Sequence, residues 1–269
     1  MITISDNDFV RFTSFIKTNY GLDLTKKRHL IAGRLASTID SLGFATFTEY
    51  ADYIITTKDS KEIENMLNHL TTNYSFFMRE FSHFDYFRTN VLPYLEQTKK
   101  DRVLSIWSAG CSYGQEPYTL SMILKDYFGS KTPKWDTRIL ATDISQTALS
   151  YASAGQYDLE ALKELPSEWR NKYFTKTSDP NFLSVTKDLR SNVIFKRFNL
   201  MDPIKFRLKF DVIFCRNVMI YFDQETKSAL IERFYQATND GGYLFIGHSE
   251  SIGNDSSYKY LMPAAYRKS

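Results

Sequence analysis

The chain has 269 residues, of which 43% are hydrophobic and 24% are charged, and its formal net charge is only +3. These values are ordinary for a globular protein with one large or two modest domains, and the charge is too small to indicate a nucleic-acid or membrane partner. No apolar run approaches the length of a membrane span, and the polar N-terminus predicts no signal peptide.

Residues 1–70 predict a small helical domain. Asp6 is placed to cap a first helix that ends before Gly21, and a second helix ends at Gly43. Two pairs of residues have the spacing of capping boxes for a third and a fourth helix: Thr46 with Glu49, and Asp59 with Glu62. Helical spacing assigns three sets of apolar residues to single faces: Phe9, Phe12, Ile16 and Tyr20; Leu30, Ile31, Leu35, Ile39 and Leu42; Ile63, Met66, Leu67 and Leu70.

The second predicted helix carries a local excess of positive charge. Four basic residues occur between Leu24 and Ser37 with no acidic residue among them: Lys26, Lys27, Arg28 and Arg34. Lys27 and Arg34 are seven residues apart, which places them on one helical face. The pattern indicates either a docking surface for an acidic partner or a solvated helix face.

The segment Arg102–Leu120 predicts a strand, a tight turn and a helix. Its apolar residues from Val103 to Trp107 are followed by small residues up to Gly110, and apolar residues then recur at helical spacing. That order is typical of the opening unit of a doubly wound, Rossmann-like α/β domain. The next predicted strand, 138–142, is followed by Asp143, where such folds place a carboxylate that binds ribose hydroxyls. The chain is therefore predicted to bind an adenosine-type cofactor.

The same turn also fits a competing chemistry. Residues 110–114 form a G-x-S-x-G pentapeptide, the nucleophile elbow of serine hydrolases, and Ser112, Asp143 or Asp223, and His248 follow in that chain order. Two features argue against a hydrolase. A nucleophile elbow normally follows several core strands, whereas the residues before Val103 are predicted to be almost wholly helical. In addition, no HGGG-type oxyanion segment precedes the turn. A turn that binds no ligand is the other alternative.

The rest of the chain continues the α/β pattern with one interruption. Later strands are predicted at 193–198, 210–215, 243–247 and 264–268. Between them, residues 172–175 and 182–185 flank the turn Ser178–Asn181, which predicts a β-hairpin inserted at about 158–192.

Cysteine and histidine usage adds two expectations. Cys111 and Cys215 give no disulfide framework, so a reducing, cytoplasmic setting is expected. The four histidines are dispersed without the spacing of metal ligands, so no metal site is expected.

Six segments closely resemble the CheR-type chemotaxis receptor methyltransferases. They are LTTNYSFFMRE (70–80), IWSAGCSYGQEPYTLSM (106–122), ATDIS (141–145), FNLMD (198–202), FDVIFCRNVMIYFD (210–223) and GGYLFIGHSES (241–251). The match runs in the same order over nearly the whole chain. It implies an enzyme that uses S-adenosylmethionine, with S-adenosylhomocysteine as product, to methyl-esterify glutamate side chains on the cytoplasmic domain of methyl-accepting chemoreceptors. It also implies a monomeric protein.

The resemblance further implies the architecture. We expect a Rossmann-like class I methyltransferase sheet at 91–269 with the inserted hairpin, an N-terminal helical domain at 1–70, and a linker at 71–90 that contributes to the cofactor site. In that family the second helix meets the acidic methylation region of the receptor, which would make its four basic residues substrate-binding. The short turn at Ser178–Asn181 favours a member whose hairpin does not bind a receptor C-terminal pentapeptide.

The family motifs carry site roles to this sequence. Cofactor contacts are implied for Asn73, Ser75, Arg79, Ala109, Gly110, Glu116, Asp143, Asn199, Leu200, Arg216 and Asn217. Ser75 replaces the family's usual threonine and keeps the hydroxyl. Gln115 stands where the family often has glutamate, which indicates that Glu116 supplies the carboxylate beside the cofactor.

Methylation of a carboxylate makes few demands on the enzyme. Glutamate has an unperturbed pKa of about 4.3, so it is already a nucleophile at neutral pH. Orientation and partial desolvation remain, and we expect Arg79 and Tyr221 to supply them as catalytic residues. Alternatively, Arg79 forms a surface ion pair with Glu80 or Asp85, and Tyr221 is an aromatic residue that only packs below the site. Two other functions stay open: methylation of another protein carboxylate, and cofactor sensing without turnover.

Overall fold

A computed structural model describes residues 2–71, 74–253 and 256–269, without the side chains of residues 132 and 133. Asn73, a predicted cofactor residue, therefore lies outside the described residues. The chain begins with four helices: α1 (Asp6–Tyr20), α2 (Arg28–Ser41), α3 (Phe47–Thr57) and α4 (Ser60–Leu70). Helices α5 (Phe81–Tyr86) and α6 (Leu92–Thr98) follow, joined by a π-helical segment (Phe87–Val91).

The N-terminal helices form where the apolar spacing predicts them, with one change of cap. Ser5, not Asp6, is the N-cap of α1, and its side-chain oxygen accepts a hydrogen bond from the N–H of Asp8. Ser5 has the extended backbone that an N-cap requires, whereas Asp6 is already helical. The helix ends at Gly21, whose left-handed backbone (φ 76°) favours glycine.

Helix α2 begins at Arg28, so two of the four basic residues assigned to it precede the helix. Lys27 occupies the N-cap position and Lys26 precedes it, so the prediction that Lys27 and Arg34 share one helical face is wrong. No side chain caps this end, and the apolar residues Ile31, Leu35 and Ile39 alone fix which face is buried.

The main sheet has seven strands in the order β6-β2-β1-β7-β8-β10-β9. Its strands are β1 (Ile106–Ala109), β2 (Ile139–Asp143), β6 (Val193–Arg197), β7 (Phe210–Cys215), β8 (Thr238–Ile246), β9 (Lys259–Met262) and β10 (Ala265–Arg267). The five strands from β6 to β8 are parallel, and β10 and β9 are antiparallel additions. This confirms the predicted doubly wound, class I methyltransferase sheet, in which the order reverses between β1 and β7.

Three strand predictions need correction. β1 includes Ser108 and Ala109, while Val103 makes only an isolated bridge. β8 begins at Thr238 rather than Tyr243, because the chain pairs with β7 through a register shift that absorbs the glycines before Tyr243. The single predicted C-terminal strand is a pair, since β9 forms the sheet edge against β10.

The insert is a three-stranded antiparallel sheet rather than a lone hairpin. The predicted hairpin forms β4 (Phe174–Lys176) and β5 (Phe182–Val185), and β3 (Gln156–Asp158) pairs with the other side of β5. Helix α9 (Ser167–Tyr173) precedes the hairpin and α10 (Lys187–Ser191) follows it. The third strand was missed because it is only three residues long and lies directly after a helix.

Helices cover both faces of the main sheet. α7 (Gln115–Phe128) and α8 (Gln146–Ala154) follow β1 and β2, and α11 (Gln224–Ala237) follows β7. Trp107 is fully buried in β1, where its indole N–H donates to Thr142 of β2 at 2.9 Å. Among the described residues, no helix is long and apolar enough to cross a membrane.

Candidate functional site

One cavity opens at the carboxyl ends of the parallel strands, where doubly wound folds bind their ligands. Its walls come from the helical domain, the linker after α4 and the loops that follow the strands. The lining residues are Tyr20, Leu22, Thr71, Tyr74, Ser75, Phe76, Arg79, Phe84, Gly110, Cys111, Ser112, Glu116, Asp143, Ile144, Phe198, Asn199, Leu200, Arg216, Asn217, Val218, Tyr221 and Phe222. Of the predicted site residues with described positions, Ala109 is fully buried in β1 and does not line the cavity, and the four basic residues of the second helix also lie outside it.

The turn after β1 requires glycine at its first position. Gly110 has φ 82°, and a Cβ there would lie 2.4 Å from a methyl carbon of Val218. The N–H groups of Gly110 and Cys111 both donate to the carbonyl of Thr142, which ties the turn to β2. Glycine therefore allows both the left-handed backbone of the turn and its close packing against Val218.

Asp143 organises the loops on either side of the cavity. Its carboxylate accepts from the N–H of Ser112 at 2.8 Å and from the N–H of Ser145 at 3.0 Å. Burial raises the pKa of Asp143, although both backbone donors oppose that rise. The side chain thus faces the cavity as a fixed hydrogen-bond acceptor, which suits ribose hydroxyls.

A residue of the helical domain supports that loop. Glu64, on α4, accepts hydrogen bonds from the N–H and the hydroxyl of Thr147, at 2.7 and 2.9 Å. These groups lie in the first turn of α8, next to Ser145, which donates to Asp143. The helical domain therefore holds the loop that orients Asp143, and no local sequence signal indicated this role.

Arg216 is the buried centre of an ionic network at the end of β7. The exposed fraction of its side chain is 2%, and it contacts Glu116 at 2.9 Å and Glu80 at 3.1 Å. It also donates to the carbonyl of Arg79. The other oxygen of Glu116 accepts from Ser108 at 2.7 Å. Arg216 thus connects the linker to α7, the helix that follows the turn after β1, and it holds Glu116 at the cavity wall.

Glu80 fixes the linker over the cavity. Its backbone has a left-handed conformation (φ 55°), and its carboxylate also accepts from the side chain of Asn217 at 3.2 Å and the N–H of His248 at 3.1 Å. Partial burial opposes ionisation, but Arg216 and these donors hold the pKa of Glu80 below its usual range. The linker is consequently anchored to the ends of β7 and β8.

Arg79 is not in the predicted alternative ion pair with Glu80 or Asp85. Its guanidinium donates to the carbonyl of Tyr74 at 2.7 Å and lies 5.8 Å from the ring centre of Phe76. Half-buried at the cavity wall, it is placed to meet an anionic group there.

The helical domain also closes the side of the cavity near Asn199 and Leu200. The Asn199 amide donates to the carbonyl of Asn19 at 2.8 Å, at the end of α1. Leu22 pairs with Phe222 in an isolated antiparallel bridge. Tyr20 and Leu22 therefore line the cavity, although no motif or spacing in the sequence pointed to them.

Tyr221 lines the cavity in a short 3-10 turn (Met219–Tyr221) after β7, not at the end of that strand. Its carbonyl accepts from the N–H of Asp23 at 2.8 Å, so the α1–α2 connection fixes its backbone. Nearby, the buried carboxylate of Glu250 accepts from the N–H groups of Asn217 and Ile220, each at 3.0 Å. These bonds hold the loop that carries both Asn217 and Tyr221.

The four predicted substrate-binding residues are not equivalent. Arg28 forms an ion pair with Asp6 at 2.6 Å, and Arg34 donates to the carbonyls of His69 and Thr71 at the end of α4. Lys26 and Lys27 are exposed. Arg34 thus stabilises the helical domain, and the two lysines keep the charge available for a partner.

The described residues do not assemble a serine-hydrolase triad. Ser112 Oγ has no hydrogen-bond partner there, and the nearest contact of the His248 ring nitrogen is Ser82 Oγ at 3.3 Å. Asp223 caps α11, and Asp143 is occupied by backbone donors. The turn therefore serves to bind rather than to carry a nucleophile.

Two family domains match the chain over nearly all of its length. Residues 73–267 match the domain described as CheR methyltransferase, SAM binding domain, and residues 7–71 match the CheR methyltransferase all-alpha domain. A chemotaxis protein methyltransferase of Borreliella burgdorferi is 38% identical over 99% of this chain and 96% of its own length. Chemotaxis protein methyltransferase 2 of Vibrio cholerae is 33% identical over 100% of this chain and 93% of its own length. The Escherichia coli chemotaxis protein methyltransferase is 34% identical over 94% of this chain and 87% of its own length.

Proposed function

Because the chain belongs to the CheR family of S-adenosylmethionine-dependent methyltransferases, we propose that it methyl-esterifies glutamate side chains of bacterial chemoreceptors. The relatives named as chemotaxis protein methyltransferases support a role in chemotaxis. The observation that carries the proposal is one cavity to which five of the six family motifs bring polar residues. We propose the cytoplasmic domain of methyl-accepting receptors as the partner, and a monomer in the cytoplasm as the working form.

The cavity fits the cofactor in polarity as well as in position. Asp143 offers a fixed carboxylate for ribose hydroxyls, and Gly110 lines the cavity in the turn that packs against Val218. Glu116 offers negative charge toward a cationic methionyl end, with Arg216 fixing its orientation. Asn199 and Leu200 border the opposite wall, where an adenine ring would lie against apolar surface. When bound, the cofactor supplies an activated methyl group and a neutral sulfide leaving group.

The reaction needs positioning rather than a general base. The substrate carboxylate is ionised at neutral pH, so no proton has to be removed before it attacks. Arg79 and Tyr221 both line the cavity, where Arg79 can hold that carboxylate by charge and Tyr221 can donate a hydrogen bond to it. Fixing the nucleophile in line with the methyl group can lower the barrier by several kcal/mol.

The exposed Lys26 and Lys27 extend the attraction beyond the cavity. A receptor surface with methylatable glutamates is acidic, and exposed lysines favour its approach through screened, long-range attraction. Arg28 and Arg34 contribute less, because both already have partners within the helical domain.

A methyl-release assay tests this function. The protein is incubated with S-adenosylmethionine labelled in its methyl group and a receptor cytoplasmic fragment, and the fragment is then treated with base. Glutamyl methyl esters release volatile labelled methanol, whereas methylated amines keep their label. We expect base-labile label with wild type and with the surface variant Asp40→Ala, and little with Asp143→Ala. Base-stable label, or equal label with both variants, would contradict the proposal.

A further inference from the structure

We propose that Glu80, His83 and His248, called the histidine cluster below, bind a divalent transition-metal ion of the Zn²⁺ type. One ligand atom from each residue lies within 4.8 Å of the other two. His83 lies on α5, Glu80 immediately precedes that helix, and His248 follows β8. The cluster does not line the cofactor cavity, so the proposed ion site is separate from it.

The arrangement of His83 points to a missing cation. The side chain is fully buried, and its Nδ1 has no hydrogen-bond partner among the described residues. Its Nε2 lies 3.2 Å from the carbonyl oxygen of Pro263, which can only accept, so Nε2 carries the hydrogen. Nδ1 therefore directs a lone pair at Glu80 Oε2, 3.6 Å away. Two acceptors face each other; Glu80 Oε2 already accepts from Arg216, and a metal ion between them would give His83 Nδ1 the partner that it lacks among the described residues.

The alternatives for His83 are less favourable. Protonating Nδ1 as well would create a fully buried cation next to the Arg216 guanidinium. Moving the hydrogen to Nδ1 would leave a lone pair of Nε2 against the carbonyl of Pro263. By contrast, a histidine that donates one ring N–H to a backbone carbonyl and coordinates through the other nitrogen is the common arrangement at metal sites.

The charges around the cluster also favour a cation. Glu80, Glu116 and Glu250 lie at the ends of β7 and β8, where Arg216 is the buried positive partner of Glu80 and Glu116, and Glu250 accepts only backbone N–H groups in its printed bonds. A dication would balance the remaining negative charge. It would compete with Arg216 for Glu80 Oε2, but Arg216 would keep its bonds to Glu116 and to the carbonyl of Arg79.

The ligand set selects the type of metal. Two imidazoles and one carboxylate suit Zn²⁺, which leaves a fourth position for water or another ligand. His248 is exposed, so an ion can reach the cluster from solvent. A bound ion would tie the linker to the end of β8, next to the segment that carries Arg79.

Metal titration of the full chain tests the site. After treatment with a chelator, the protein is titrated with Co²⁺, followed by visible absorption, and with Zn²⁺, followed by calorimetry and by its Tm. The test variant is His248→Gln, because an exposed side chain can be replaced without disturbing the core, unlike buried His83. The matched control is the double variant His29→Gln/His69→Gln, which removes two exposed histidines outside the cluster.

We expect one Zn²⁺ per chain for wild type and control, with a raised Tm for both. His248→Gln should bind at least about tenfold more weakly, since even changes outside the ligand shell have effects of that size. Absence of stoichiometric binding by wild type would overturn the proposal. So would equal affinity of wild type and His248→Gln, or loss of binding in the control variant. The readouts require no methyl transfer, so failure here would leave the proposed function intact.

Discussion

Replacing Asp143 with alanine tests how the cavity holds an adenosine cofactor. The carboxylate already accepts from two backbone N–H groups, and each oxygen keeps a further lone pair for a ribose hydroxyl. A hydrogen bond to a charged acceptor contributes about 1.5–3 kcal/mol. The substitution also releases the turn at Ser112, so we expect binding to weaken by about 3 kcal/mol, or about 100-fold.

Asp143→Asn sharpens the same test. Ser112 and Ser145 donate to different carboxylate oxygens, so an amide, which replaces one oxygen with an N–H₂ donor, would accept from one of them and place a donor against the other. We therefore expect Asp143→Asn to bind the cofactor nearly as weakly as Asp143→Ala, despite its similar shape. Calorimetry with S-adenosylhomocysteine measures the affinities, and circular dichroism checks that the variants fold. Wild-type affinity in either folded variant, with Asp40→Ala as the surface control, would refute this account of the site.

Four other variants separate the remaining roles. Ser112→Ala should keep most methyl transfer, and a fluorophosphonate should not label the wild type; stoichiometric labelling at Ser112 would favour a hydrolase. The Lys26→Ala/Lys27→Ala variant should raise the KM for the receptor fragment and flatten its salt dependence, while identical kinetics at every ionic strength would make the lysines a solvated surface. Arg79→Ala should lower kcat/KM even at low salt, and unchanged kinetics would exclude a positioning role. Asp223 forms an ion pair with Lys17 on α1, and the hydrogen bond from Lys17 lowers the pKa of Asp223 to about 2. Asp223→Asn should therefore lower the free energy of unfolding, measured in urea at pH 7, by about 1 kcal/mol. That stabilisation is complete above the unfolded pKa of 3.8 and is lost as the pH falls through 2, so a difference that did not shrink with acid would contradict it.

The central strands of the sheet could be predicted well because their signals are local. β7 was predicted with its observed bounds, since six consecutive buried residues follow one polar loop and precede another. β9 was missed because it is a short edge strand, and its exposed Tyr260 breaks any continuous apolar run. The early start of β8 was missed because Gly241 and Gly242 read as a turn, whereas the sheet absorbs them through a register shift.

The cofactor cavity could be predicted only in part, because its motifs lie in the linker and the α/β domain, whereas part of its wall comes from the helical domain. Gly110, Asp143 and Arg216 lie in motifs with a local pattern, and the structure brings them to one cavity. Tyr20 and Glu64 belong to a helical domain whose docking depends on tertiary packing, for which the local sequence has no signal. The same holds for the histidine cluster, in which His248 is far in the sequence from Glu80 and His83 and meets them only when the linker packs against the end of β8.

Tandem mass spectrometry of a receptor cytoplasmic fragment tests the central claim most directly. After incubation with the protein and S-adenosylmethionine, each modified peptide is fragmented to locate the added methyl group. The proposed function predicts the methyl group on glutamate side chains, and its disappearance when those glutamates are replaced by alanine. A methyl group on lysine or another residue, or none on a receptor fragment under conditions where the protein binds S-adenosylhomocysteine, would contradict it.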